Sequence, residues 1–135
     1  MFDVSLVNTA NPKELWDLYM KHSHIVIYVV DSSDRLSLNS AKNDLHNSVL
    51  KHKDLHKSAC ILVLANKQDI DGSMTVLEII EGLNLSSITN RKWHVQAVSV
   101  VRGLGLNQGV QWMERQWINK HFTLSPAPTE LYKPS

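Results

Sequence analysis

Two runs, Ile25-Val26-Ile27-Tyr28-Val29-Val30 and Cys60-Ile61-Leu62-Val63-Leu64-Ala65, constrain this chain more than any other feature. Neither alternates apolar with polar residues, so each is apolar on both faces and suits a strand covered by helices above and below. Each ends in a polar cluster, Asp31-Ser32-Ser33-Asp34 and Asn66-Lys67-Gln68-Asp69, and helical spacing follows. Leu38, Ala41, Leu45 and Val49 recur at steps of three and four, which predicts a helix over residues 34–52. Thr75 and Glu78 form a capping-box pair beside apolar Val76, Ile79, Ile80 and Leu83, and Gly82 marks the stop. A third strand candidate over residues 93–101 leads into Arg102-Gly103-Leu104-Gly105, and Val110, Met113 and Trp117 predict a last helix to about residue 121. The alternation predicts an α/β fold of three layers, a mostly parallel sheet with crossover helices.

The flanks are plainer. Residues 2–7 read as a short strand, and Asn11-Pro12-Lys13-Glu14 as a helix start with Leu15, Leu18 and Tyr19 on one face. Residues 1–121 are expected to form the domain, and residues 122–135, with three of the four prolines and no apolar periodicity, a mobile tail.

Composition narrows the class. Apolar runs of six residues are far too short to span a bilayer, no basic segment opens a secretory signal, and Phe2 stands where myristoylation needs glycine. One cysteine, Cys60, rules out an internal disulfide framework and reads as a small buried hydrophobe. With 14 basic against 13 acidic residues, the net charge of +1 supplies no reason to expect nucleic acid or an anionic membrane. The expectation is an intracellular, cytoplasmic chain with no transmembrane segment.

In open parallel sheets, ligands collect outside the carboxyl ends of the strands, where loops and helix N-termini converge. Residues 31–34, 66–69 and 99–105 all fall there. The middle one is the most informative. In Asn-Lys-x-Asp a carboxylate can accept two parallel N–H bonds from a guanine edge, a lysine stem can lie over a base, and an amide can tie loops together. Adenine offers no such pair of adjacent donors.

Val29-Val30-Asp31-Ser32-Ser33-Asp34-Arg35, Leu64-Ala65-Asn66-Lys67-Gln68-Asp69, Met74-Thr75 with Glu78-Ile79, and Trp93-His94-Val95-Gln96-Ala97 resemble, in order and spacing, the ADP-ribosylation-factor-like branch of the small GTPases. The resemblance runs from Phe2 to about Lys120. It implies a P-loop-NTPase-like fold and GTP or GDP as ligand, with Asn66 and Asp69 as guanine contacts and Lys67 as the stem against the base. Ser99-Val100-Val101 falls where the family usually has Cys-Ala-Thr or Ser-Ala-Lys, whose middle backbone N–H meets the base oxygen, so Ser99 and Val100 join the set. Phe2-Asp3-Val4 resembles the family's Trp-Asp-Val, which implies Asp3 as the acid near Mg²⁺. The family role implied is GTP-dependent membrane traffic through protein effectors or regulators, with peripheral Golgi or endomembrane association.

The departures are as specific. None of Gly72, Gly82, Gly103, Gly105 and Gly109 belongs to a Gly-x4-Gly-Lys-Ser/Thr phosphate loop, and Gly103-Leu104-Gly105 reads as a turn. Ser5-Leu6-Val7 replaces the family's Gly-Gly-Gln, so no catalytic residue is assigned, Mg²⁺ is left open and hydrolysis by this chain alone is not expected. The reading is of an N-terminally truncated domain that starts at the family's third strand. Two or three hydrogen bonds to a base, at about 0.5–1.5 kcal/mol each, leave an affinity on the order of −4 kcal/mol, near millimolar. The alternative is a non-enzymatic pseudo-GTPase fragment that acts as a protein-binding module. In the family the missing first strand lies between the third and fourth. The expected consequences are that residues 2–6 move over to pair with residues 25–30, that a partner chain fills the gap by dimerisation or strand exchange, or that the isolated chain is poorly stable.

Other signals are weaker. His52 and His56 have zinc-pair spacing but no third ligand, and sit among Lys51, Lys53 and Lys57 as a solvated surface. His22 and His24 read as a solvated strand entry, and Pro126-Ala127-Pro128 is too brief for a proline-rich ligand. Trp93 and Trp117 are expected in the core, and Trp112, off the main stripe, as an interface residue.

Overall fold

A computed structural model describes residues 4–7, 24–53 and 55–121. The predicted helix start near Pro12, the candidate metal acid Asp3 and the tail over residues 122–135 lie outside these residues. Four parallel strands, β1 (Val4–Val7), β2 (Ile25–Asp31), β3 (Cys60–Asn66) and β4 (Trp93–Ala97), lie side by side in sequence order. Val4 pairs with Ile25, Ile25 with Cys60 and Ile61 with Trp93, so all carboxyl ends face one edge. Beside β2 stands β1, the first of the three expected arrangements.

Alternation along the strands assigns their two faces. Val26, Tyr28 and Val30 of β2, Ile61, Val63 and Ala65 of β3, and Trp93 and Val95 of β4 pack on one side against α1 (Leu38–Asp44) and α2 (Val76–Gly82). On the other side Ile25, Cys60 and Leu62 meet Trp112 and Met113 of α3 (Leu106–His121), with Ile27 and Leu64 half-buried beside them. Helices therefore cover both faces of an α/β sheet, and each large side chain removed from water contributes about 1.5–3 kcal/mol. Cys60 lies in this core, 2% exposed, as a small hydrophobe.

Several boundaries differ from the sequence reading. The helix predicted over residues 34–52 is α-helical only over Leu38–Asp44. It continues as a π-helical turn, Leu45–Val49, closed by Leu50 N–H to the Leu45 carbonyl at 2.9 Å. Leu45 and Val49, at the two ends of this turn, are both fully buried. Asp34 belongs to the turn before the helix, where its Oδ1 accepts from Ser37 N–H at 3.2 Å. Gly82 is not the left-handed stop of α2; that conformation falls to Asn84, φ +52°. Gly82 is small for packing, because a Cβ there would come within 2.1 Å of Leu38 Cδ2. The predicted capping box is present: Thr75 Oγ1 accepts from Glu78 N–H, and Glu78 Oε1 from Thr75 N–H, both at 3.2 Å.

The strand predicted to residue 101 ends at Ala97, because Ser99 forms an antiparallel bridge to Leu104 that folds the chain back on itself. The phase of α3 also differs. Gly109, Trp112, Met113 and Gln116 face the sheet, whereas Val110 is 45% exposed and Trp117 half-buried. Trp112 is thus a core residue, stacked on His94 at 5.6 Å. Gly109 lies on this face, where a Cβ would make ordinary contacts of 3.6 Å with Leu62 and Leu64 of β3.

Candidate functional site

Three loops leave the carboxyl ends of β2, β3 and β4 and are bonded into one unit. Ser32 N–H donates to the Asn66 carbonyl at 3.0 Å, Gln68 N–H to the Val98 carbonyl at 3.1 Å, and Val98 N–H to the Ala65 carbonyl at 3.0 Å. Directly after β3, Lys67 takes a left-handed conformation, φ +69°. For a side chain with a Cβ this costs roughly 1–2 kcal/mol. Its carbonyl accepts from Ser73 Oγ at 2.7 Å and Ile70 N–H at 3.1 Å, which holds the turn. The reversal at Lys67 brings both Asn66 and Asp69 against the β4 loop.

Asn66 Oδ1 accepts from the Val100 N–H at 3.1 Å, and Asp69 Oδ1 accepts from Ser99 Oγ at 2.8 Å. Ser99 is 1% exposed, and its main chain exchanges two 3.0 Å bonds with Leu104, so the hydroxyl that aims Asp69 is itself fixed. A carboxylate has about four acceptor sites, and Ser99 occupies one of those on Asp69, an exposed residue. The Val100 N–H is directed at Asn66, so a base oxygen meets it only by sharing the donor or displacing the amide. Gly105, φ +82°, closes the loop: a Cβ there would stand 2.1 Å from the Ala97 carbonyl oxygen. Val100, Val101 and Leu104 are exposed on this loop.

Lys67 and Asp31 pair across the site edge. Lys67 Nζ donates to Asp31 Oδ2 at 2.8 Å, while Asp31 Oδ1 accepts from Ser33 N–H at 2.9 Å and Ser33 Oγ at 2.6 Å. Partial burial pushes the Asp31 carboxyl up, but the Lys67 and Ser33 hydrogen bonds and the Lys67 charge outweigh it and hold the group below its ordinary value. The same hydrogen bond with Asp31, then its charge, raises the Lys67 ammonium.

Of the residues expected in the base site, the structure brings Asn66, Lys67, Asp69, Ser99 and Val100 onto two facing loops. Gln68, the variable position of the motif, is not among those expected. Its Nε2 donates to Ser32 Oγ and to the Met74 carbonyl, both at 3.0 Å, and so joins the β2 and β3 loops. Its one signal in the sequence is its place between two motif residues. Arg35 pairs with Glu78 and donates to the Gly72 carbonyl at 3.3 Å, tying the β2 loop to the start of α2. For a guanine base the donor set fits: a fixed carboxylate with open acceptor sites lies next to an amide and a lysine. Among the described residues no three His, Cys, Asp or Glu side chains come together as a metal set. No helix among them is long and apolar enough to cross a membrane.

The sequence matches the model of the ADP-ribosylation factor family over residues 1–117. ADP-ribosylation factor F of Dictyostelium discoideum is 39% identical over 103 residues, 76% of this chain and 54% of the relative. ADP-ribosylation factor-like protein 5A of Bos taurus is 44% identical over 98 residues, 73% of this chain and 54% of the relative. The Mus musculus protein of the same name is 40% identical over 113 residues, 84% of this chain and 61% of the relative. The chain spans little more than half the length of these curated relatives. With a parallel sheet covered on both faces and the Asn-Lys-Gln-Asp loop at its carboxyl edge, this chain belongs to the ADP-ribosylation factor family of small GTPases.

Proposed function

We propose that this chain binds guanine nucleotide by the base, with Asp69 accepting the paired N–H donors of the guanine edge. Asn66 and Ser99 hold the two loops in register, the Lys67 stem lies against the base and the Val100 N–H is shared between Asn66 Oδ1 and the base oxygen. The observation that supports this reading is the 2.8 Å bond from buried Ser99 Oγ to Asp69 Oδ1, which orients a carboxylate that keeps further acceptor sites open. Nothing in this sequence matches a Gly-x4-Gly-Lys-Ser/Thr loop, so the binding energy comes from the base side and the affinity is near millimolar. By family analogy the role is in GTP-dependent intracellular membrane traffic through protein effectors and regulators, at a peripheral endomembrane. Hydrolysis and Mg²⁺ are not part of the proposal.

The test is a titration with GDP, GTP and ADP in Mg²⁺ buffer, followed by calorimetry and by amide resonances of residues 66–69 and 98–104. Saturable guanine-selective shifts support the reading. No binding at several millimolar nucleotide, or equal response to ADP, defeats it in favour of a protein-binding module without nucleotide.

A further inference from the structure

The edge opposite the base site carries a charge pattern that the net charge conceals. Residues 45–59 and 84–92 precede β3 and β4 and contain five basic residues, Lys51, Lys53, Lys57, Arg91 and Lys92, against one acidic residue, Asp54. The rest of the sequence then holds nine basic against twelve acidic residues. The positive charge is therefore gathered at the amino ends of the strands, roughly 20 Å along β3 from the base loops at ~3.3 Å per residue.

There the fold opens a cleft of about 340 Å³ between the π-helical turn and the loop before β4, lined by Asn47, Lys51, Asn90 and Arg91 over Leu50 and Ile88. Arg91 is half-buried, and its Nη1 donates to the His56 and Ala59 carbonyls at 3.1 and 2.9 Å. Those bonds fix the guanidinium plane and use two of its five donors. Asn47, Lys51 and Asn90 are exposed, and their side chains make no hydrogen bond or ion pair among the described residues. Charge and donors thus converge on a concave site of the size that small ligands use.

We propose that this cleft binds a compact ligand bearing two phosphate groups. Lys51 and Arg91 bring two full positive charges to the cleft itself, and Lys53, Lys57 and Lys92 lie on the same two segments, which suits a ligand with two phosphates at about −1.5 to −2 each better than a single carboxylate. Lys51 and Arg91 supply charge-assisted donors, and the Asn47 and Asn90 amides supply neutral ones. The chemistry is the same for a soluble bisphosphate and for a bisphosphorylated lipid headgroup. The proposal does not depend on nucleotide binding at the opposite edge.

The test uses the whole chain and inorganic pyrophosphate, followed by ¹⁵N–¹H spectra without nucleotide. The expected result is saturable shifts confined to residues 46–51 and 87–92, with Lys51→Glu weakening binding about ten- to a hundredfold, as loss of one charge-assisted bond requires. Asn90→Ala, an exposed position, is expected to weaken it several-fold with the remaining spectrum unchanged. Vesicles of phosphatidylcholine with phosphatidylinositol 4,5-bisphosphate, set against phosphatidylserine vesicles of equal charge, identify the source: preference for the former assigns a lipid headgroup, and pyrophosphate binding without it a soluble ligand. Shifts that spread over all lysines without saturation, a response unchanged in Lys51→Glu, or equal binding to both vesicles without saturable pyrophosphate binding overturn the proposal.

Discussion

Replacing Asp69 by asparagine probes the base site with little effect on the fold. Asp69 Oδ1 accepts from Ser99 Oγ at 2.8 Å, and the amide oxygen of the substituted side chain can accept the same bond, so the loop stays closed. Stability is expected to fall by less than about 1 kcal/mol, because only the charge on an exposed acceptor changes. Binding is affected differently. The carboxylate offers two oxygens to the two guanine donors, whereas the amide offers one oxygen and turns N–H groups toward the base. Losing one charge-assisted bond of about 1.5–3 kcal/mol, and adding a donor facing a donor, weakens guanine by roughly a hundredfold. From a millimolar start this moves saturation beyond any practical concentration. The assay is the initial slope of amide shifts over residues 98–104 on addition of GDP, with ADP as control and chemical denaturation to confirm the fold. A GDP slope in Asp69→Asn equal to that of the unmodified chain would refute the assignment.

Four further outcomes follow from other contacts. Gly105→Ala places a Cβ 2.1 Å from the Ala97 carbonyl at φ +82°, so a loss of at least about 2 kcal/mol is expected in urea denaturation. Gln68→Ala removes both 3.0 Å bonds and leaves fully buried Ser32 without that partner, for a loss of about 1–3 kcal/mol by the same measurement. Burial, and secondarily the charge of Asp44, push the Tyr28 phenol well above its usual value. A raised group stabilises the fold below its unfolded pKa of about 10 and loses that contribution as pH rises, so stability should decline above pH 10 and Tyr28→Phe should flatten the decline. For Asp31 the sign is opposite. Its carboxyl is held low, so its contribution is present above about pH 4 and lost as pH falls further, and Asp31→Asn should remove that acid dependence while costing under about 1 kcal/mol for so exposed a pair.

Much of the fold was legible because burial patterns are local. Residues 25–30 and 60–65 are apolar on both faces, and only a strand between two helical layers buries both, so the parallel sheet followed from the chain alone. The Asn-Lys-x-Asp loop was legible for a similar reason: its residue types state a donor and acceptor set before any neighbour is known. Other features were not. The phase of α3 depends on which helix face meets Ile25, Cys60 and Leu62 of the sheet, a property of the facing surface, so periodicity alone assigns Trp112 to an interface although it is 2% exposed. The end of β4 depends on Ser99 meeting Leu104, and Gln68 gains its function from Ser32 and Met74, 36 and 6 residues away.

The sequence by itself determined the alternation of strand and helix, the covered sheet and the guanine-type residue set, since each is written in periodicity or in side-chain chemistry. Only the tertiary structure decided which atoms those residues meet. Lys67 is drawn to Asp31, Asp69 is aimed by Ser99, and five cations from two distant segments gather at one edge of a chain whose net charge is +1. The physical reason is that pairing and charge clustering act through space, and the β2, β3 and β4 register, not separation along the chain, fixes those distances.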